Sequence, residues 1–286
     1  MNNGANMKEH FHDRAGLASL DDLNAPEWGE LFRSLDMVQR EVLSADVHVP
    51  EYIWPFCPLQ DQTRPWEYPY VFGNLKELLN GRPAGSASVV DLGSGFTFFP
   101  FCVSRLGHST IAVDIDPLPG LMFRKAKGVI EERPGSVTFR SGDIMHIPCD
   151  QGSVDIVYCI SVLEHVQDVG RILGDVYRVL KRGGIFVLTV DVDLSGNFAI
   201  GPERFSALMT ELCERFVPLY PEETIHPLRL LTNRNQPFRQ PPSRGKLETF
   251  LRSVYSTNKN LIMRKIKGPL YGGYHVSSYG TCLVKN

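Results

Sequence analysis

Val89-Val90-Asp91-Leu92-Gly93-Ser94-Gly95-Phe96-Thr97-Phe98-Phe99-Pro100 is the stretch on which the fold turns. A short β-branched run ends in an acid, two glycines follow one residue apart, and the chain then becomes aromatic. This reads as a buried strand entering a tight turn that exposes its backbone. Without Cβ atoms at 93 and 95 the main chain can approach a bound nucleoside or phosphate closely. The dinucleotide fingerprint Gly-x-Gly-x-x-Gly would place its third glycine at residue 98, which is Phe98, so hydride-transfer chemistry is disfavoured.

Four further segments follow in order. Ile111 to Asp116 is an apolar strand ending in acids, about twenty residues past the glycines. Val137 to Arg140 is a third strand, followed by Ser141-Gly142-Asp143. Val154 to Ile160 is a fourth, followed by Ser161-Val162-Leu163-Glu164-His165-Val166. Leu180-Lys181-Arg182-Gly183-Gly184 closes a helix with basic residues and a glycine stop before a fifth strand, Ile185 to Val190.

Over roughly residues 85 to 195 this succession resembles the class I S-adenosylmethionine-dependent methyltransferases, whose first motif is Asp/Glu-x-Gly-x-Gly-x-Gly. Asp91, Gly93 and Gly95 match it and Thr97 stands in for the third glycine. The resemblance implies a doubly wound α/β architecture with a seven-stranded Rossmann-like sheet. Residues 1–82 are expected to form an N-terminal helical and aromatic cap, 83–195 the donor-binding core, and 196–286 the rest of the fold with an acceptor-specificity insertion. It also implies S-adenosylmethionine as donor. Asp91 would then serve the methionine end, Gly93 and Gly95 the close backbone approach, and Asp114 the ribose diol. Asp143 and Ile144 would fix the adenine, and Ile160 and Ser161 would run past the methionine. Asp116 reads as a surface or turn acid.

The proton acceptor is open at this level. His165 titrates in a suitable range and follows Glu164 at the pocket edge, although a pocket-lining role fits the pattern too. Glu67, His226 and His275 are further candidates. Asp191 and Asp193 share one side of a strand and could ligate a divalent cation, but no third ligand is evident and a metal-free site is expected.

The chain has 286 residues, a formal net charge of −2 and an apolar fraction sufficient for a full core. With no apolar signal core and no apolar run near membrane-spanning length, a soluble cytoplasmic enzyme without a membrane partner is expected. Six scattered cysteines form no Cys-x-x-Cys pair, so they suggest neither a disulfide framework nor a zinc site. Pro148-Cys149 precedes the fourth strand, the wrong loop for a nucleophilic pair acting on cytosine, and no Asn/Asp-Pro-Pro-Tyr/Phe follows that strand. Nucleic acid is therefore a disfavoured partner. The expected acceptor is an oxygen or nitrogen of a small polar metabolite, such as a sugar or a specialised-metabolism intermediate, including anionic ones.

Two rivals stand beside this reading. Between Thr224 and Leu270 ten basic residues face the single acid Glu248, a surface that would suit RNA or protein as acceptor, or dock on the acidic N-terminal segment. Thr97 in place of a glycine allows a binding protein that keeps the fold without catalysis. Before the core, Asn24, Pro26 and Glu27 suggest a capped amphipathic helix. Residues 49–72 look too rich in proline and aromatic rings for regular structure, and suit either packing or an aromatic wall for the acceptor. A short helix follows from Asn74 to Asn80. Helices are expected at Phe98–Leu106, Pro117–Glu132, Asp168–Lys181, Pro202–Phe216 and Gly245–Tyr255, with a last strand near Tyr279–Val284.

Overall fold

The computed structural model describes residues 10–52, 58–61, 63–194, 200–236 and 275–286. Nine strands form one sheet: β1 (Ala15–Leu17), β2 (Ser88–Leu92), β3 (Ser109–Asp114), β4 (Ser136–Ser141), β5 (Val154–Ile160), β6 (Leu180–Asp193), β7 (Phe216–Pro218), β8 (Glu222–Glu223) and β9 (Val276–Lys285). The order is β4-β3-β2-β5-β6-β9-β1-β8, and β7 pairs with the other half of β9. Strands β4, β3, β2, β5 and β6 are mutually parallel, and β9 runs antiparallel to β6 and β7. Taking β7 as the outer neighbour of β9 leaves the expected seven-stranded core, to which β1 and β8 are added beside β7 at the same edge.

Six helices are described: α1 (Pro26–Ser44), α2 (Arg64–Leu79), α3 (Phe99–Ser104), α4 (Leu118–Ala126), α5 (Val169–Val179) and α6 (Pro202–Arg215). They cover both faces, as the alternating strands demand. Val89 joins the apolar cluster that holds Leu35 of α1, Trp66 of α2, Phe99 of α3 and Met122 of α4. Val90 and Leu92 join the opposite cluster with Ile172 and Val176 of α5 and Leu208 of α6. The period-two alternation of a strand thus divides the core into two layers.

The largest departure from the sequence reading is α2. Pro65 lies in its first turn, where a missing N–H costs nothing, but Pro69 sits inside the helix and removes the donor that the Pro65 carbonyl needs. Trp28 of α1 supplies the replacement, its Nε1 donating to that carbonyl at 3.0 Å. Trp66 and Tyr70 stack at 4.7 Å over β9, where a Cβ on Gly280 would lie 2.6 Å from the Tyr70 ring. The Trp66 indole donates to Asp22 and the Tyr70 hydroxyl to the Arg14 carbonyl, so these rings are packing elements with both polar atoms paired. The expected Asn74–Asn80 helix is the continuation of α2.

Smaller corrections concern helix ends. Ala25, not Asn24, caps α1 without a side-chain bond, and Glu27 accepts the distant Phe11 N–H instead of forming a capping box. Helix α4 stops at Ala126, where Lys127 turns extended before Gly128 at φ +81°. Helix α5 ends at Val179, and Lys181 to Gly184 belong to the irregular start of β6. The 245–255 helix, residues 53–57 of the aromatic stretch and most of the basic segment lie outside the described residues. Within that segment Arg229 pairs with Asp21, one contact of the acidic N-terminal part with the basic C-terminal part. Cys102, Cys159 and Cys282 are buried and Cys213 is exposed.

Candidate active site

The turn after β2 is held by its neighbours before any ligand is considered. Gly93 and Gly95 have φ of +74° and +51°, the left-handed region that side chains avoid. A Cβ on Gly93 would come within 2.6 Å of Val162, and one on Gly95 within 2.5 Å of the Tyr52 hydroxyl. These glycines are therefore required first by close approach of the chain to itself. The Tyr52 hydroxyl accepts the Phe96 N–H at 2.7 Å, and burial pushes that phenol's pKa well up. Asp114, at the end of β3, accepts the Gly95 N–H on one carboxylate oxygen at 2.8 Å and the Asp116 N–H on the other at 2.9 Å. Asp116 in turn accepts the Leu118 N–H and starts α4, the turn role expected of it.

A cleft runs along the carboxyl ends of β2, β3 and β5, where an open α/β sheet places its ligands. It is lined by Asp91, Gly93, Gly95, Asp114, Ile144, Ile160, Ser161 and His165 from the sequence reading. Asp143 is the exception. It does not line the cleft, and its carboxylate accepts the Met145 N–H at 2.9 Å in its own turn. Tyr52, Arg64, Tyr68, Thr97 and Phe99 also line the cleft and were not singled out as site residues. An aromatic wall from residues 49–72 is one of the two expectations for that segment, but only the helical turn of α2 shows that Arg64 and Tyr68 are among its members that reach the cleft. Of the other candidate bases, His226 and His275 do not line the cleft, and Glu67 is buried behind it.

Behind the cleft lies a buried charged group built from α2, β6 and the loop after β5. Glu67 is fully buried and pairs with Arg64 one turn before it, while the Ser161 hydroxyl donates to the same carboxylate. Ser161 adopts φ +49°, and this hydrogen bond holds it there. Among the described residues, Glu67 is the one hydrogen-bond partner of the Arg64 side chain. Asp191 accepts from the hydroxyls of Thr63 at 3.1 Å and Ser278 at 3.0 Å. Burial, reinforced by Glu67, raises its pKa to about 6 against the pull of Arg64. Glu164 is buried with neither carboxyl oxygen hydrogen-bonded, and burial and then Asp191 hold its pKa well above the carboxylate range. Asp193 is also buried. The neighbouring His165 is half exposed, its Nε2 4.0 Å from the Glu164 carboxyl. Asp91 is buried at the floor of the cleft, and desolvation raises its pKa well above normal, opposed by the Tyr158 hydroxyl.

A mostly parallel sheet with helices on both faces and a left-handed glycine turn at its carboxyl edge is the architecture of the doubly wound nucleotide-binding class. Comparison with known proteins narrows the class. Residues 90–188 match the family described as "Methyltransferase domain". An arsenite methyltransferase of Halobacterium salinarum is 31% identical over 102 residues, covering 35% of this chain and 26% of that protein. A thiol S-methyltransferase of Homo sapiens is 34% identical over 123 residues, covering 41% and 46% respectively. The chain therefore spans less than half the length of these relatives. In fold it is similar to a geranyl diphosphate C-methyltransferase from Streptomyces coelicolor A3(2), with a TM-score of 0.50 at 12% identity over 92% of this chain and 99% of that one. Over residues 90–188 the chain is therefore similar to methyltransferase domains, and this similarity supports a class I S-adenosylmethionine-dependent methyltransferase with S-adenosylmethionine as donor. Among the described residues no helix is long and apolar enough to cross a membrane.

Proposed function

We propose that this protein transfers the methyl group of S-adenosylmethionine to an oxygen or nitrogen of a small polar molecule bound between Tyr52, Tyr68, Phe99 and His165. The carrying observation is the distribution of charge along the cleft. Asp114 and the glycine turn, joined by the Gly95 N–H, share the cleft with the oppositely charged types Asp91 and Arg64. An α-amino acid end has an ammonium and a carboxylate, and those two side chains match it. Asp91 takes the ammonium, whose charge restores the carboxylate that burial disfavours. Arg64 offers its remaining N–H donors to the carboxylate, Glu67 fixing the guanidinium plane. Asp114 keeps free lone pairs for two ribose hydroxyls while it anchors the turn.

When bound, the donor supplies an electrophilic methyl group on a sulfonium with a good leaving group, so the protein's task is chiefly alignment. The aromatic rings exclude water and position the acceptor, and His165 accepts its proton where one is lost. The test is incubation with methyl-labelled donor and separate small-metabolite, RNA and protein fractions. Label in the small-metabolite fraction is the expected result. Label in RNA or protein alone would refute the acceptor class, and donor binding without label in any fraction would point to the non-catalytic reading.

A further inference from the structure

At the far end of α2 from the cleft, Glu77 meets the turn His10-Phe11-His12-Asp13. Its carboxyl Oε1 lies 3.1 Å from His12 Nε2 and 3.4 Å from His10 Nε2. His12 Nε2 is 4.0 Å from Asp13 Oδ1, and ligand atoms of His10, Asp13 and Glu77 all lie within 4.8 Å of one another. We propose that His10, Asp13 and Glu77 form a binding site for a divalent first-row transition-metal ion that staples the N-terminal segment to α2, with His12 stacked on His10 at 5.2 Å and hydrogen-bonded to Glu77 beside it.

Three independent features carry the assignment. First, a tetrahedral ion with bonds of about 2.0–2.2 Å sets its ligand atoms ~3.3–3.6 Å apart, and His10 Nε2 meets Glu77 Oε1 at 3.4 Å with an Asp13 carboxylate oxygen within 4.8 Å of both. Second, the Asp13 carboxylate is half used. Oδ2 accepts the His10 N–H at 3.0 Å and locks the turn, whereas Oδ1 is buried without a hydrogen-bond partner beside a second carboxylate. Two neighbouring carboxyl groups, one with a buried bare oxygen, need a cation or a shared proton between them. Third, the surroundings orient the His10 imidazole, with Glu27 near its Nδ1 and the His12 ring stacked on its face. Glu27 places an oxygen 3.8 Å from His10 Nδ1 on the side away from Glu77. His12 is buried flat against α2, where Gly73 makes room that a Cβ, at 2.7 Å from the ring, would close. One imidazole with two carboxylates suits Zn²⁺ and its neighbours in the series better than Ca²⁺ or Mg²⁺. Glu77 lies 13 residues, ~20 Å of helix, beyond Arg64, so this site is separate from the cleft.

The test uses the full, untagged chain after removal of metals with a chelator. Calorimetric titration with Zn²⁺ is expected to show one site with micromolar or tighter affinity and a rise in Tm on binding. Co²⁺ is expected to give visible d–d bands without a thiolate charge-transfer band. His10→Ala and Glu77→Gln alter partly exposed side chains. Each should weaken Zn²⁺ binding at least about tenfold while the metal-free melt stays near that of the parent. Zn²⁺ binding unchanged in the double variant, no stoichiometric binding to the parent, or a thiolate band that assigns the ion to cysteine would each overturn the proposal.

Discussion

Replacing Asp114 by alanine separates the two duties that the structure gives this carboxylate. Toward the ligand it is the acceptor proposed for the ribose diol, and a hydrogen bond to a charged group contributes about 1.5–3 kcal/mol. Loss of one such bond corresponds to a 10- to 150-fold rise in donor Kd, and loss of both to more. Toward the protein it receives the Gly95 and Asp116 N–H groups. Both bonds are partly exposed, so water recovers some of the loss, and about 1 kcal/mol each is a fair figure. At roughly 2–4 °C per kcal/mol for a chain of this size, the ligand-free protein should melt ~4–8 °C lower. A carboxylate at the sheet edge read from sequence alone would leave the ligand-free melt untouched, and the two backbone bonds to the turn correct that expectation. The assay pairs calorimetric titration of S-adenosylhomocysteine with a ligand-free melt of Asp114→Ala and Asp114→Asn. Asparagine keeps one acceptor and sets an amide against a backbone N–H, so it should fall between parent and alanine in melting and close to alanine in affinity. A lowered melt with donor affinity within twofold of the parent would leave Asp114 a turn anchor and refute the ribose assignment.

Two further outcomes follow from the buried charges. Asp191, at about 6, binds its proton more tightly in the folded chain than in the unfolded one, whose carboxyl sits near 3.8. Its contribution is therefore fully present below pH 4 and is lost as pH rises through 6, on the order of 3 kcal/mol. Asp191→Asn should flatten that limb of a Tm-versus-pH series, and an identical profile in the variant would count against it. Arg64→Gln strands Glu67 and should cost about 3–5 kcal/mol of stability, much of which Arg64→Gln with Glu67→Gln should restore. If Arg64 holds the donor carboxylate, donor affinity stays at least about tenfold weak in the restored double variant, and parent-like affinity there would return Arg64 to a structural role.

The parallel core was legible because each strand carries its own signal. β2, β3 and β5 are short, largely apolar runs, β2 runs into Gly93, β3 ends in Asp114, and Gly142-Asp143 follow β4, so their order fixes a doubly wound sheet once a βαβ connection is assumed. The residues at their carboxyl ends came with them, which is why Asp91, Gly93, Gly95, Asp114, Ile160 and Ser161 meet in one cleft. Asp143 shows the limit of that reasoning. Its position after β4 is as expected, yet its carboxylate turns back on Met145, a local Asx choice that spacing along the chain does not disclose. β1 and β8 were invisible for another reason. Three- and two-residue strands have no period to detect and exist because the edge of β9 and its added neighbour have backbone groups to satisfy.

Helix α2 shows most clearly where local reading stops. Two prolines among crowded aromatic rings argue against a helix by every short-range rule, and the rule is correct about the deficit: the Pro65 carbonyl does lose its donor. The donor that replaces it belongs to Trp28, 37 residues earlier, and the rings that seemed to crowd the chain fit over a glycine in β9. Once the helix forms, residues that looked unrelated fall into two sets at its ends. Arg64 and Tyr68 arrive at the cleft with Glu67 buried behind them, and Glu77 arrives at His10, His12 and Asp13, its hydrogen bond to His12 spanning 65 residues of sequence. A metal ion bound at Glu77 would brace the same rigid rod that carries the proposed carboxylate clamp. Removing Zn²⁺ should therefore loosen the N-terminal segment first and weaken donor binding only as far as α2 itself loses order.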